Sequence, residues 1–276
     1  MVTGHLMTTR SLNQLNILIK SAGEMATGIA CRLYRSKFRR IVLAETDHPL
    51  AVRRAVSFCE AVHDRQAIVE GITALRTSTT EEIESAWQQQ AVAVIVDPDW
   101  QISSQIHFDV IIDAILAKKN LGTNLNEAQL VIGMGPGFTA GVDGHRVIET
   151  NRGHDVGRVI EAGTAEANTG IPGEIGGYTS QRVLRAPCGG RFESERRIGE
   201  SITSGEVFGS IEGEVVSATI DGVIRGLIRP GSTVPKGMKI GDVDPRGISS
   251  YCFTISDKAR SLGGAVLEAV LAEFNT

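Results

Sequence analysis

The stretch Asn16-Ile17-Leu18-Ile19-Lys20-Ser21-Ala22-Gly23-Glu24-Met25-Ala26-Thr27-Gly28 decides how the chain is read. Four residues, Ile17 to Lys20, follow Asn16 as a short, mostly apolar run, the pattern of a buried strand, and a helical pattern then continues through Tyr34. A second apolar run, Ile41-Val42-Leu43-Ala44, ends in Glu45, spaced about 20 residues beyond the turn as a ribose-binding acid is in a dinucleotide-binding βαβ unit. Ser21 takes the first position of the G-x-G-x-x-G/A pattern, with Gly23 and Ala26 at the second and third. Ser21, Gly23, Ala26 and Glu45 are therefore candidate cofactor-binding residues. The same segment also reads as a βαβ unit that keeps this geometry and binds nothing.

Strand and helix signals continue to alternate. Thr80 to Gln90 carries a helical pattern capped by Ser78 or Thr79, and Val92 to Val96, Val110 to Ile112 and Leu130 to Ile132 are buried-strand candidates. Such alternation predicts a parallel sheet with helices on its faces, and ligands of such sheets gather beyond the C-terminal strand ends. Asp97, Asp113, Lys118, Lys119 and the Gly133 to Gly137 segment fall there. The glycine-rich loop supplies Gly133, Gly135, Gly137 and Thr139 as further binding candidates, because exposed N–H groups in such a loop form an anion-binding concavity. It also reads as a tight turn between packed layers. Asn151, Arg152 and His154 flank it as ligand-site candidates, together with Lys118 and Asp113. Asp113 interrupts an apolar segment and needs a partner, for which Lys118 and Lys119 are the candidates. Arg53 and Arg54 read as phosphate contacts or as the solvated face of a helix, with the solvated face favoured. No catalytic residue is singled out, and no metal-ligand cluster.

Beyond this region, Ala165 to Gly177 has neither helical nor strand periodicity and reads as a lid or linker with Glu174 as a candidate contact. From Ala186 the sequence repeats at an offset of 32 residues, pairing Ala186 with Ala218, Gly190 with Gly222, Gly199 with Gly231, Gly205 with Gly237 and Gly209 with Gly241. Glycine-punctuated short strands in two related halves predict a small β barrel or sandwich with a pseudo-twofold axis. The pattern resembles biotinyl and lipoyl carrier domains, but no lysine occurs between Ala186 and Pro235, which removes the carrier function. Asp242 and Asp244 read as a cation-binding pair or as turn residues, with turn residues favoured because no further oxygen cluster accompanies them. A helix from about Lys258 to Phe274, capped by Ser256 or Asp257, is expected to return to the first domain.

Composition narrows the function classes. The chain has 276 residues, 42% hydrophobic and 22% charged, with a formal net charge of -4. That balance, without a basic run, argues against nucleic acid as the partner. Cys31, Cys59, Cys188 and Cys252 make neither a disulfide scaffold nor a zinc pattern and read as reduced thiols. No signal-peptide core or membrane-length apolar run is found, so the expectation is a soluble, unprocessed, cytoplasmic protein with no membrane partner; a homo-oligomer stays open.

The segments SAGEMATG, HPLAVRRAV, DAILAKKNLGT, GMGPGFTAGVD, ETNRGHDVGRV, TGIPGEIGGY and KIGDVDPRG resemble the selenium-dependent molybdenum hydroxylase system protein family, from Asn16 to the C-terminal helix. The chain is also similar in character to xanthine dehydrogenase accessory proteins. The family has glycine and aspartate where this chain has Ser21 and Glu24. The resemblance implies a maturation role for a molybdenum hydroxylase. It implies a nucleotide-type small molecule as ligand, NAD or NADP as cofactor candidates, the molybdenum cofactor as candidate cargo, and the hydroxylase or its maturation machinery as partner. An NAD(P)-dependent oxidoreductase and a non-catalytic structural adaptor are the alternatives. The expected fold class is α/β: a Rossmann-like parallel-sheet domain over residues 15–164, a glycine-rich connector over 165–182, a biotinyl/lipoyl-like β module without a modifiable lysine over 183–247, and a C-terminal strand and helix over 248–276.

Overall fold

The computed structural model of the protein describes residues 11–275. The opening apolar run forms β1 (Asn16–Lys20), which leads through the Ser21 turn into α1 (Glu24–Arg35) and back to β2 (Arg40–Glu45). After the short α2 (Ala61–Asp64) come β3 (Gln66–Val69), β4 (Ile72–Thr77), α3 (Thr80–Gln88), β5 (Val92–Val96), β6 (Val110–Asp113) and β7 (Leu130–Met134). The pair β8 (Thr139–Ala140) and β11 (Gly163–Thr164) forms a separate ribbon, while β9 (Arg146–Ile148) and β10 (Val159–Ile160) extend the main sheet. That sheet has nine strands in the order β10-β9-β7-β6-β1-β2-β5-β4-β3. Its central strands are fully buried aliphatic runs, as expected where both faces are covered.

Two observations correct the expected Rossmann-like parallel sheet. The sheet is mixed: β3 runs antiparallel to β4 and β10 antiparallel to β9, one at each edge. Beyond β5 the crossovers also lack α-helices. Only the 3-10 turns Gln101–Ser104 and Leu125–Glu127 lie between β5 and β6 and between β6 and β7. The face left open by those short crossovers is covered from the far end of the chain by α4 (Asp257–Phe274), which packs on α1, β7, β9 and β10. Ala259, Leu262, Ala265, Val266, Ala269 and Val270 form its buried stripe.

The repeat builds two four-stranded antiparallel sheets. One has the order β12 (Val183–Arg185), β19 (Lys239–Asp244), β17 (Gly222–Leu227), β14 (Ser201–Ile202); the other is β16 (Glu214–Ser217), β15 (Val207–Ile211), β13 (Gly190–Glu193), β18 (Thr233–Val234). Phe192, Phe208, Ile211, Ile224, Leu227 and Ile240 fill the space between them. The expected arrangement of a Rossmann domain carrying a separate biotinyl/lipoyl-like module is not formed. The first sheet is seated directly on the segment after β2: the Leu227 N–H donates to the Val52 carbonyl at 2.8 Å, and Arg54 Nε donates to the Leu227 carbonyl at 3.0 Å. A Cβ on Gly226 would sit 2.7 Å from the Val52 side chain, so glycine permits this approach. The result is one α/β body in which a large mixed sheet and the antiparallel sheets share a cleft.

Candidate functional site

The cleft is a cavity of about 480 Å³ at the C-terminal ends of β1, β6 and β7, a size suited to a small-molecule ligand. Its location follows from how α1 and α4 cross. A Cβ on Gly28 would lie 2.7 Å from the Ala259 Cβ, and one on Gly263 would lie 2.9 Å from the Arg32 Cβ. These small residues let the helix backbones touch within about two turns of both N-termini, so both helices open into the cavity through Gly23, Glu24 and Met25 on one side and Ser256 and Lys258 on the other. Gly23 supplies no side-chain cap to α1, whereas Ser256 Oγ accepts from the Ala259 N–H at 3.3 Å in α4. Helix N-termini carry partial positive charge and favour anions.

Side chains reinforce that sign. Seven cations line the cavity, Arg53, Lys118, Arg152, Arg182, Arg225, Lys239 and Lys258, against three acids, Glu24, Glu166 and Asp242. Several cations are already paired. Arg53 Nη1 meets Glu24 at 2.6 Å and Nη2 donates to the Tyr251 carbonyl at 2.8 Å. Arg182 pairs with Asp242 at 2.5 Å and donates through Nη2 to the Gly173 carbonyl at 2.7 Å, tying the connector to β19. Arg152 pairs with Asp257, and that pairing holds the Asp257 carboxyl at a pKa of about 2.

What remains is an excess of positive charge. Arg225 is 5% exposed and its closest carboxylate, on Asp244, is 3.7 Å away. The Nε atoms of Arg225 and Arg53 are buried with no hydrogen-bond partner among the described residues. Lys118 and Lys258 have no hydrogen-bond or salt-bridge partner among them either. Burial pushes the pKa of both amines down, and Lys118 and Arg152 add repulsion at Lys258. Lys118 and Leu116 both sit at left-handed φ, +64° and +59°, so the loop after β6 stores backbone strain at the cavity wall.

Of the residues picked from sequence, Ser21, Gly23, Lys118, Asn151 and Arg152 line this cavity. Ser21 stands at φ +98°, its N–H donates to the Ala44 carbonyl and its Oγ accepts from the Gly23 N–H. Ala26 is buried in the core face of α1. Glu45 lies outside the cavity, with its carboxylate accepting from the Ala22 and Thr46 N–H groups at 2.8 Å each. His154 is exposed and does not line the cavity. Asp113 is buried and its pKa is raised by that burial; Thr123 Oγ1 donates to it at 2.7 Å and the Ile115 N–H at 3.2 Å. Its partners are therefore not Lys118 or Lys119. Thr123 in turn receives a hydrogen bond from buried Lys20 at 2.7 Å, and Lys20 pairs with Glu127 and lies over the Trp100 ring.

The glycine-rich loop faces protein. Cβ atoms on Gly133 and Gly135 would collide with Phe138 and with Thr150, and one on Gly137 would stand 2.6 Å from the Lys119 Cα. The Gly135 N–H is taken by the Ile148 carbonyl, and the Thr139 N–H donates to Asp143 at 2.8 Å. Gly137, at φ +105°, thus holds the main chain next to Lys118 in place.

The cavity also contains residues that sequence reasoning passed over. Arg53 is 5% exposed rather than on a solvated helix face, and Asp242 and Asp244 are buried in β19 rather than in a turn. Arg225 carries a sequence signal, a lone cation inside the apolar run Val223 to Ile228, and a buried charge requires a partner. Lys258 carries another, a lysine in the first turn of a helix where the dipole disfavours it.

No family model matches the chain. It is 42% identical over 255 residues to the uncharacterized protein YqeB of Escherichia coli K12, covering 92% of this chain and 47% of that protein. The chain therefore spans about half the length of that curated relative. Similar solved structures include a succinylglutamate desuccinylase/aspartoacylase from Rhodobacter sphaeroides, with 25% identity and a TM-score of 0.23 over 31% of this chain and 29% of that one. Others are TcdA (CsdL), at 10% identity and TM-score 0.30 over 95% and 87% of the two chains, and an aspartoacylase family protein from Mesorhizobium loti, at 10% and 0.26 over 83% and 85%. None of these relatives and neighbours is one of the molybdenum hydroxylase accessory proteins to which the sequence resemblance led. That resemblance is corrected, and with it the maturation role, the selenium context, and the NAD(P)-binding and oxidoreductase readings. At these TM-scores the neighbours assign no chemistry to this chain. No helix among the described residues is long and apolar enough to cross a membrane.

Proposed function

We propose that the chain binds a small polar molecule bearing one or more anionic groups in the cavity between the mixed sheet and the antiparallel sheets. The observation that carries this reading is the excess of cations over acids in the cavity lining, seven against three, with the buried Nε donors of Arg225 and Arg53 unpartnered among the described residues beside two helix N-termini. A buried guanidinium donor left without a partner is costly, and an anion supplies the missing acceptor with a charge-assisted bond. Arg225 and Arg53, from a strand and a loop far apart in sequence, contribute buried guanidinium groups, while the Lys118 and Lys258 amines have no salt-bridge partner among the described residues. The ligand class is phosphate- or carboxylate-bearing, and the arms of the test separate the two.

The test is thermal denaturation of the full chain with inorganic phosphate, pyrophosphate and succinate, with NAD and NADP as larger comparison probes. A ligand bound only to the folded state stabilises it by about 2.7 kcal/mol at 100 times its dissociation constant. Saturable stabilisation by at least one small anion, lost in Arg225→Met and weakened in Lys118→Met, is the expected result. Equal, non-saturable salt effects on the natural chain and both variants would defeat the reading.

A further inference from the structure

Lys258 combines features that an ordinary ion-pairing lysine lacks. It lies in the first turn of α4, at the positive end of an 18-residue helix, and lines the cavity half-buried. No hydrogen bond or salt bridge holds its amine among the described residues, since the neighbouring carboxylate of Asp257 is taken by Arg152. Lys118 and Arg152 face it as like charges, while Glu24 and Glu149 are the acids near enough to oppose them. Glu24 is itself engaged by Arg53, and Glu149 accepts from the Asn151 and Glu166 N–H groups. An amine so placed is held toward its neutral, nucleophilic form by burial and by adjacent cations.

We propose that Lys258 condenses reversibly with the carbonyl group of a small anionic oxo acid held in the cavity, forming an imine. This rests on the anion-binding reading and adds the carbonyl to the ligand's chemistry. The neutral amine nitrogen attacks the carbonyl carbon, and the π pair moves to oxygen to give a carbinolamine. The C–O bond then breaks as the C=N bond forms. Both amine hydrogens leave with that oxygen as water, so amine and carbonyl give imine and water with no oxidant or reductant. The unmatched cations hold the acid group, which fixes the carbonyl near the amine and converts a bimolecular encounter into a local one.

The test incubates the full chain with glyoxylate and then reduces any imine with borohydride, followed by intact-mass measurement and peptide mapping. One adduct per chain, on the peptide holding Lys258 and suppressed by excess succinate, is expected. Lys258→Arg should lose that adduct. Lys118→Met should label Lys258 several-fold more slowly at neutral pH, because removing the neighbouring charge returns the amine toward its protonated form. Labelling spread over exposed lysines, or undiminished in Lys258→Arg, would overturn the proposal. If anions bind saturably and no adduct forms at Lys258, the imine fails and the anion site stands. If neither occurs, both fail.

Discussion

Glu45 fastens the turn that the cavity is built on. Its two carboxylate oxygens accept from the N–H groups of Ala22 and Thr46, on either side of the β1 and β2 strand ends. Removing that acceptor leaves two main-chain donors to be satisfied again, so Glu45→Ala should cost about 1 to 3 kcal/mol in denaturant unfolding. Gly135 and Gly137 act in the same structural sense. Side chains there would press on Thr150 and on the Lys119 main chain at positive φ, so Gly135→Val and Gly137→Val should each cost at least about 1 to 3 kcal/mol. The sequence reads this loop either as an anion-binding concavity or as a tight turn between packed layers, and the contacts favour the packing turn. Asp257 offers a pH test. Its folded pKa of about 2 lies below the ordinary carboxylate value, so its pairing with Arg152 stabilises the fold above about pH 4 and that contribution fades as pH falls toward 2. The Asp257 side chain is largely exposed, which keeps the effect small. Arg152→Ala should return the Asp257 titration to the ordinary range, as read by carboxyl NMR.

At the scale of elements, the α1 and α4 crossing sets where the cavity opens. Gly28→Ala places a methyl group 2.7 Å from the Ala259 Cβ, and such overpacking costs about 1 to 3 kcal/mol. The same displacement tilts both helix N-termini away from the cavity, so anion affinity should fall with stability, and the compensating Ala259→Gly should restore part of both. Individual strands were legible in the sequence, because β1, β2, β5, β6 and β7 are unbroken aliphatic runs bounded by polar residues. The sheet's mixed character was not. Its β3–β4 hairpin turns at Glu70-Gly71, with Glu70 at φ +46°, and glutamate carries no turn signal of the kind asparagine or aspartate would. The short crossovers after β5 were equally hidden, since the helix covering that face is supplied from residues 257–274 and periodicity does not say where a helix docks.

For the whole molecule, the cavity is a property of assembly rather than of any motif. Ser21, Lys118, Asn151 and Arg152 could be picked out because each follows a strand of the large sheet. Arg182, Arg225, Lys239 and Lys258 come from the connector, the repeat region and the last helix, and the seating of β17 on Val52 and of α4 on α1 brings them to the same space. Assembly also predicts a proton linkage. Burial lowers the pKa values of Lys118 and Lys258 in the free protein, with repulsion from Lys118 and Arg152 adding to it at Lys258, and a bound anion raises them again. Binding therefore takes up protons, and affinity weakens as pH rises from the free-state values toward the bound-state values. Calorimetric titration with succinate, whose carboxylates are fully ionised above neutrality, repeated at rising pH in two buffers of different ionisation enthalpy, measures both the affinity and that uptake. A saturable one-to-one heat with net proton uptake, abolished by Arg225→Met, is the predicted result; no saturable heat with any small anion, or binding unchanged in Arg225→Met and without proton uptake, would contradict the account.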